Sequence, residues 1–347
     1  MKKIAFFDTK PYDRRYFEAQ LDGREFEISF FETRLSRKTA DLVKGFDGVC
    51  AFVNDTVDDK VIEILKRENI GVVAMRCAGY NNVDLKAAYK GVHVLRVPAY
   101  SPYAVAEHAM ALILTLNRRT HKSYLRTRES NFALAGLEGF DLNRKTAGVI
   151  GTGKIGRVMI SILKGFGMNI LAYDPYPDQD FAGREGFSYV DRGTLYSRSD
   201  ILSLHCPLTR ETHHLINEEA LEAMKPGVMI INTSRGGLID TKALVEGLKG
   251  GKIGYAGLDV YEEEGDYFFE DLSGEIISDD ILARLLTFPN VLITAHQGFF
   301  TREALANIAE TSLENFRAYF NGGPLENEVC YRCDRPECRK ETAGRCF

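Results

Sequence analysis

A glycine-rich turn between an apolar run and a helical segment constrains the fold of this chain most. The turn reads Gly-Thr-Gly-Lys-Ile-Gly over residues 151–156 and directly follows the apolar run 147–150. The pattern predicts a helix from residue 155 to residue 166 and then a second strand, and Asp174 lies eighteen residues past Gly156 at the end of that strand. Three glycines in this context, with an acidic residue after the second strand, predict a dinucleotide-binding unit. The alternative is a structural turn beside an exposed aspartate.

The residue types in the turn explain the predicted chemistry. Gly151 permits the tight turn, Gly153 lets the backbone approach a pyrophosphate, and Gly156 lets the helix pack close to the strand. Unpaired N–H groups at the helix start attract phosphate oxygens. Asp174 can accept hydrogen bonds from the adenosine ribose and would repel a 2′-phosphate. The predicted cofactor is therefore NAD(H) rather than NADP(H).

Apolar runs alternate with helical segments over almost the whole chain, which predicts an α/β protein with parallel sheets. The 347 residues are enough for two domains. Serine and proline at positions 101 and 102 start a long apolar helix, residues 103 to about 117, which we interpret as the crossover into a second domain. Another helix is predicted from about residue 302 to residue 320. The strand candidates are residues 4–7, 26–31, 49–53, 72–77 and 93–97, followed by 146–150, 169–173, 201–204, 228–232, 255–258 and 291–294.

Charge and hydropathy argue against several classes of protein. The chain carries 44 basic and 49 acidic side chains, a formal net charge of −5, and no long basic run. This balance argues against a dedicated nucleic-acid binder. The first ten residues have too few apolar side chains for a signal peptide, and no stretch reaches the ~20 apolar residues of a membrane span. We expect a cytoplasmic protein with neither nucleic-acid nor membrane partners.

Polar side chains follow the predicted strands of the second domain, at the edge where parallel sheets bind ligands. An arginine there can hold a substrate carboxylate through two hydrogen bonds, and a histidine can exchange a proton with a hydroxyl or carbonyl oxygen. Spacing does not choose between His205 and His296 for that exchange, and a single histidine at a strand end is more often structural. The polar groups after the strands comprise Asp174, residues 205–207, residues 233–237, Asp259 with the glutamates at 262–264, and residues 296–299.

Several short motifs occur together in the order of one enzyme family. They are RCAGYNNVD at 76–84, VPAYSP at 97–102, AEH at 106–108, GVIGTGKIG at 148–156, LHCPLT at 204–209, NTSRGG at 232–237, DVYEEE at 259–264, FFED at 268–271 and AHQGFFT at 295–301. On these motifs the sequence resembles the D-isomer-specific 2-hydroxyacid dehydrogenases, and within them the fermentative D-lactate dehydrogenases of bacteria. The resemblance extends from residue 3 to about residue 329.

The resemblance implies an NAD-dependent oxidoreductase that reversibly reduces pyruvate to D-lactate. His296 matches the acid/base, Glu264 the carboxylate paired with it, and Arg235 the arginine that binds the substrate and polarises its keto group. The backbone at Ala78 and Gly79 matches the loop around the substrate carboxylate. Tyr100 and Phe299 match positions on the substrate side. The predicted cofactor-binding residues are Gly151, Gly153, Lys154, Ile155, Gly156, Asp174, His205, Cys206, Pro207, Thr233 and Asp259, of which Asp259 matches the residue that holds the nicotinamide carboxamide.

The resemblance also implies a domain division. A discontinuous, flavodoxin-like substrate domain would comprise residues 1–100 and 300–329, with a Rossmann NAD-binding domain at 101–299 inserted into it. A homodimer or homotetramer is implied as well. Large rings at Phe299, Tyr100 and Phe52 favour a small substrate, although a dehydrogenase for another D-2-hydroxyacid remains an alternative. The rival from another class is an NAD-sensing corepressor or scaffold, which would not need the Arg235, Glu264 and His296 set.

Four cysteines, Cys330, Cys333, Cys338 and Cys346, are crowded into residues 330–347, outside the resemblance. Their spacing is compatible with a four-thiolate zinc or iron–sulfur site. Free thiols in a reducing compartment are the simpler interpretation, because the chain has no second paired CxxC motif. The predicted chemistry requires no metal, so we assign no metal ligand to the catalytic site.

Overall fold

The computed structural model describes residues 1–21, 25–331 and 338–347. The chain divides into two compact units. Unit 1 comprises Met1–Ser101 and Phe300–Phe347, and unit 2 comprises Pro102–Phe299. Within the described residues, no helix is both long and apolar enough to cross a membrane.

The first part of unit 1 forms a parallel five-stranded sheet in the order β2 (Phe26–Phe30), β1 (Lys2–Phe6), β3 (Gly48–Ala51), β4 (Val72–Met75) and β5 (His93–Arg96). This is the doubly wound, flavodoxin-like order, as predicted. Asp58 caps one of the covering helices by accepting a hydrogen bond from the Val61 N–H at 3.0 Å. The apolar face of that helix, which includes Ile62 and Leu65, is buried. The elements are β1 (Lys2–Phe6), α1 (Pro11–Glu18), β2 (Phe26–Phe30), a 3₁₀ turn (Ala40–Val43), β3 (Gly48–Ala51), α2 (Asp59–Arg67), β4 (Val72–Met75), α3 (Leu85–Ala88) and β5 (His93–Arg96).

Unit 2 is built on a second parallel sheet, in which seven strands are described. Its elements are α4 (Pro102–Arg118), α5 (Thr120–Arg128), β6 (Thr146–Ile150), α6 (Lys154–Gly165), β7 (Asn169–Tyr173), α7 (Gln179–Glu185), β8 (Ser188–Tyr189), α8 (Arg192–Arg198), β9 (Ile201–Leu204), α9 (Glu218–Ala223), β10 (Val228–Asn232), α10 (Thr241–Lys249), β11 (Ile253–Leu258), α11 (Asp280–Thr287) and β12 (Val291–Ile293), with 3₁₀ turns at Gly236–Leu238 and Glu264–Asp266. The strand order is β12-β11-β10-β9-β6-β7-β8. The prediction missed β8, because two residues carry no alternating pattern.

The long apolar helix α4 packs inside unit 2 against α6 and against the sheet strands β10 and β11. Its buried side chains include Val105, Ala109, Leu112 and Ile113. These buried side chains lie on several sides of the helix, so α4 needs apolar neighbours in more than one direction. The adjacent helix and the sheet provide them, which explains why the helix reads as apolar over most of its circumference.

The chain returns to unit 1 with α12 (Arg302–Phe320), and a short α13 (Arg339–Ala343) follows. The apolar face of α12 joins the core cluster of the first sheet through Ala309, Leu313 and Phe316. The described part of 330–347 also packs on unit 1. Phe347 stacks on His93 with centroids 4.1 Å apart, and the Tyr331 hydroxyl accepts a hydrogen bond from the backbone of β5. These contacts place Tyr331 and Phe347 beside β5 of the first sheet.

Candidate active site

The glycine turn forms the junction between β6 and α6. Gly151 adopts φ +91°, a left-handed backbone conformation that glycine tolerates best. A Cβ atom on Gly156 would lie 1.9 Å from the carbonyl oxygen of Gly151, whereas a Cβ on Gly153 would meet no atom within 4 Å. Gly156 is therefore required for packing, and Gly153 leaves open space in front of the helix start. Lys154 and Ile155 open α6 beside that space.

Asp174 follows β7 and is fixed by the turn itself. Its Oδ2 accepts hydrogen bonds from the backbone N–H of Thr152 at 2.7 Å and from the Thr152 hydroxyl at 3.0 Å. Its Oδ1 accepts one from the N–H of Tyr176 at 2.9 Å. Thr152 is a positioning residue that the sequence analysis did not single out. It occupies the variable position of the motif, so the pattern gave no reason to select it.

The segment after β9 carries His205, Cys206 and Pro207 and packs under the glycine turn. A Cβ on Gly151 would lie 2.7 Å from the backbone of His205 and of Cys206. His205 Nε2 is paired with the Ser203 hydroxyl at 2.8 Å. Burial lowers the pKa of His205 to about 4 and raises the pKa of the Cys206 thiol to about 11. Both groups are therefore neutral near pH 7, and His205 is a poor proton carrier at that pH.

His296 has a different environment, since it is paired with a carboxylate. Its Nδ1 lies 2.8 Å from Oε1 of Glu264, and the other Glu264 oxygen accepts the N–H of Tyr261 at 3.0 Å. The opposite ring nitrogen, Nε2, points away from this pair. The Phe269 ring lies 5.8 Å from the His296 ring and 6.5 Å from that of Phe299, measured between centroids. The geometry is that of an oriented histidine beside aromatic rings.

Asp259, at the end of β11, anchors the loop that carries His296. Its Oδ1 accepts the Thr294 hydroxyl at 2.6 Å and the N–H of Gln297 at 2.9 Å, and its Oδ2 accepts the N–H of Gly298 at 2.7 Å. His108 on α4 approaches the same carboxylate at 3.2 Å. Burial acts to raise the pKa of Asp259, but these hydrogen bonds outweigh it and lower the pKa overall. The sequence pattern predicts no role for His108 and Thr294, because their contacts with Asp259 join residues far apart in the chain.

Arg235 follows β10, in a turn that its neighbours hold closely. The Asn232 side chain donates to the carbonyl oxygen of Arg235 at 2.8 Å and accepts the N–H of Ser234 at 3.0 Å. A Cβ on Gly236 would lie 2.1 Å from the carbonyl group of Tyr261, so this turn and the loop that leads to Glu264 pack backbone to backbone. Within unit 2 the structure thus joins the turn of Arg235 to the loop of the Glu264–His296 pair.

Among the described residues, two buried polar atoms near these strand ends have no hydrogen-bond partner. They are the hydroxyl oxygen of Thr233 and Nδ1 of His205. Buried polar groups are normally paired, so an unpaired one calls for an explanation. Both residues belong to the set predicted to bind the cofactor. Together with the open space at Gly153 and the start of α6, they fit a bound dinucleotide.

The remaining predicted residues lie in unit 1, at the carboxyl ends of β4 and β5. The Arg96 side chain donates to the carbonyl oxygen of Ala78 at 2.9 Å, and the Cys77 thiol approaches that of Gly79 at 3.2 Å. Asn307 on α12 donates to the carbonyl oxygen of Tyr100 at 2.6 Å. These contacts hold the backbone of both loops.

Arg76, which precedes the Ala78 loop, is only 1% exposed. Its guanidinium donates to the carbonyl oxygens of Phe7 and Asp8 and pairs with Asp13. Arg76 therefore ties the start of the Ala78 loop to the segment that follows β1.

Comparison with known proteins decides the family. Residues 110–298 match the D-isomer specific 2-hydroxyacid dehydrogenase, NAD binding domain family. The chain is 53% identical over 328 residues to D-lactate dehydrogenase of Escherichia coli (strain K12), covering 94% of this chain and 99% of that protein. The chain belongs to the D-isomer-specific 2-hydroxyacid dehydrogenases.

Solved structures of D-lactate dehydrogenases share the fold of this family member. The apo structure of the E. coli enzyme has a TM-score of 0.86 at 51% identity and covers 94% of this chain and 100% of its own. A D-lactate dehydrogenase from Aquifex aeolicus, described as complexed with NAD and lactic acid, has a TM-score of 0.81 at 33% identity and covers 92% of this chain and 96% of its own. The predicted family, the α/β fold, the enzyme class and NAD as cofactor are thereby confirmed.

Among the four C-terminal cysteines, Cys333 lies outside the described residues. Cys330 and Cys338 are exposed and Cys346 is buried, and all three are free thiols. Burial raises the pKa of Cys346 to about 12, which keeps this thiol protonated. The zinc or iron–sulfur interpretation of the segment stays a hypothesis.

Proposed function

We propose that this chain is a D-lactate dehydrogenase that reduces pyruvate to D-lactate and catalyses the reverse reaction. The observation that carries the proposal is the hydrogen bond of 2.8 Å between His296 Nδ1 and Glu264. It leaves Nε2 as the nitrogen that exchanges a proton with the substrate oxygen. The names of the relatives support the choice of substrate.

NADH supplies the hydride when it is bound. The start of α6 and the open space at Gly153 would hold its pyrophosphate, and Asp174 its adenosine ribose. The Thr233 hydroxyl and His205 Nδ1, which have no partner within the protein, would form hydrogen bonds with other parts of NADH. Asp259 keeps the proposed contact with the nicotinamide carboxamide while it anchors the His296 loop.

The chain's own residues have three tasks in this reaction. Arg235 binds the substrate carboxylate and polarises the keto oxygen. His296 donates a proton from Nε2 as the alkoxide forms. Glu264 orients the ring, because its carboxylate accepts the proton on Nδ1. The backbone at Ala78 and Gly79 is proposed as a further contact of the carboxylate, and Tyr100 as a contact on the substrate side.

A small 2-keto acid is the expected substrate. Phe299 is 8% exposed, and the Phe269 ring is close both to the Phe299 ring and to the His296 ring, at the distances given above. Bulky rings near the acid/base leave little space for a long side chain. One methylene changes discrimination by only about 1–3 kcal/mol, so the preference must be measured.

The test is a spectrophotometric assay of NADH consumption with pyruvate, 2-ketoisocaproate and phenylpyruvate, and of NAD reduction with D- and L-lactate. We expect the highest kcat/KM for pyruvate, and activity with D-lactate but not L-lactate. His296→Gln is expected to lose activity while NADH binding persists, and His205→Gln serves as the comparison for the second candidate histidine. Higher kcat/KM for a bulkier acid, or a His296→Gln variant with wild-type activity, would refute the proposal.

A homodimer or homotetramer in the cytoplasm remains part of this proposal. Unit 2 presents a groove on α4 and α6 lined by Tyr103, Met110, Leu114 and Ile162, and Tyr103 is 61% exposed. Exposed apolar surface of this kind is typical of subunit interfaces. Light scattering after size-exclusion chromatography gives the subunit number, and a monomer at assay concentration would remove this part of the proposal.

A further inference from the structure

Among the described residues, three side chains of types that bind metal ions lie close together, outside the residues assigned to the dehydrogenase reaction. His213, His214 and Glu262 each offer one ligand atom, and these three atoms lie within 4.8 Å of one another. His214 Nε2 is 2.6 Å from Oε1 of Glu262, and the two imidazole rings stack with centroids 3.9 Å apart. Two histidines and one glutamate form a ligand set that zinc accepts with one position left for water. We propose that this cluster binds a zinc ion, a property beyond the proposed reduction of pyruvate.

Backbone pairing holds the histidine segment in place. The N–H of His214 donates to the carbonyl oxygen of Gly237 at 2.8 Å, and that of Ile216 to the carbonyl oxygen of Leu238 at 3.0 Å. His214 has φ +51°, a left-handed conformation that persists where the surroundings impose it. The backbone of the segment is therefore fixed beside the turn that follows Arg235. Only side chains need to adjust when a metal binds.

The charges around the cluster favour a cation. The Thr241 hydroxyl donates to Oε2 of Glu262 at 2.8 Å, so Oε1 is the oxygen that faces the histidine. Asp240 Oδ2 lies 3.9 Å from Nδ1 of His214. This carboxylate lies beyond hydrogen-bond distance and adds a second negative charge beside the histidine.

The observed separations need only local adjustment to hold zinc. Ligands about 2.0–2.1 Å from a tetrahedral zinc ion lie roughly 3.3 Å apart. The His214–Glu262 pair must open by about 0.7 Å, and the widest pair must close by up to about 1.5 Å. His213 is exposed, and the other two side chains are half-buried. Rotation of the His213 side chain can supply most of the second change.

The full-length protein, treated with chelator and then freed of it, is titrated with cobalt(II) without NADH or substrate. Cobalt is the probe because its d–d absorption reports a site of low coordination number, and thiolate ligands add a charge-transfer band in the near ultraviolet. We expect a visible d–d band from nitrogen and oxygen ligands that zinc abolishes by displacement. The cobalt affinity is expected to fall when the pH is lowered from 7 to 5.5, since protonated imidazole does not bind metal.

Three variants locate the site. His213→Ala and Glu262→Gln are expected to weaken cobalt binding at least tenfold, whereas the matched control His121→Gln, a histidine on α5, retains wild-type affinity. Because His213 is exposed, its variant is expected to keep the wild-type circular dichroism spectrum and basal activity. Wild-type affinity in both cluster variants would overturn the proposal. A spectrum with only thiolate absorption, or with no cobalt absorption, would also overturn it. The result does not depend on whether the chain reduces pyruvate.

Discussion

Replacing two glycines of the same turn by alanine is expected to impair different properties: the stability of the fold for Gly156 and cofactor binding for Gly153. In Gly156→Ala the new methyl group starts 1.9 Å from the carbonyl oxygen of Gly151. Since Cβ atoms essentially never approach other atoms closer than 3.0 Å, the helix and the turn must separate by about 1.1 Å. Gly153→Ala places its methyl group where no protein atom lies within 4 Å. It should obstruct only the cofactor.

The magnitudes follow from these distances. Overpacking against a backbone atom costs about 1–3 kcal/mol, and alanine in a helix recovers about 0.5–1 kcal/mol relative to glycine. We expect Gly156→Ala to lower the free energy of unfolding by about 1–2 kcal/mol, which corresponds to a Tm lower by about 2–8 °C for a unit of this size. Gly153→Ala should change the free energy of unfolding by less than about 0.5 kcal/mol but weaken NADH binding at least tenfold, about 1.4 kcal/mol.

Differential scanning calorimetry of the apo protein and fluorescence titration with NADH measure the two effects separately. Gly165→Ala is the matched control, because it lies at the other end of α6 and its Cβ would also meet no atom within 4 Å. It should keep the wild-type NADH affinity and raise the free energy of unfolding by at most about 0.5–1 kcal/mol, because its methyl group meets no neighbour. The reasoning is refuted if Gly156→Ala melts like wild type, or if Gly153→Ala loses stability and retains its NADH affinity.

Three further predictions concern charged side chains. Arg235→Gln should lower kcat/KM for pyruvate at least 10²-fold, about 3 kcal/mol of transition-state stabilisation, with NADH binding intact; steady-state kinetics within fivefold of wild type would contradict it. Glu264→Gln should lower kcat for pyruvate reduction, because the His296 ring loses the carboxylate that orients it through Nδ1; an unchanged kcat would exclude this role. Burial acts to raise the pKa of Glu328, but hydrogen bonds from His93 and from the Cys346 backbone outweigh it and lower the pKa overall. The ionised Glu328 side chain therefore stabilises the fold at pH values above its ordinary pKa of 4.5, and this stabilisation is lost as the pH falls through the lowered pKa. In urea unfolding, the deficit of Glu328→Gln should shrink between pH 7 and pH 4, and an equal deficit at both would exclude the linkage.

Most strands could be placed from the sequence because they lie in largely apolar runs, but their ends and the two-residue β8 could not. The prediction extended the third and fourth strands to residues 53 and 77, whereas the structure ends them at Ala51 and Met75. Phe52 and Cys77, just past those ends, are 6% and 7% exposed. Hydropathy reports that a side chain is buried, whether or not its backbone pairs in the sheet. The runs therefore overestimate the paired length at the edge where the loops begin.

The pairing of His296 could not be derived from local pattern. Spacing left His205 and His296 equivalent, and only the resemblance chose between them. In the structure the difference is the partner: Ser203, two residues away, for His205, and Glu264, thirty-two residues away, for His296. A long-range contact of this kind depends on which strands are neighbours in the sheet. The strand order of the sheet cannot be derived from the glutamate run at 262–264 or from the motif that contains His296.

Asp259 shows why a residue's role can exceed what its motif implies. The resemblance gives this carboxylate one contact, with the cofactor. In the structure, its oxygens accept the Thr294 hydroxyl and the N–H groups of Gln297 and Gly298, and the N–H of His296 donates to its carbonyl oxygen at 2.7 Å. His296 has φ +51°, a conformation that is uncommon outside glycine and must be imposed by its surroundings. The hydrogen bonds on both sides of His296 impose it. The orientation of the histidine therefore depends on Asp259 as much as on Glu264: the first fixes the backbone and the second fixes the ring.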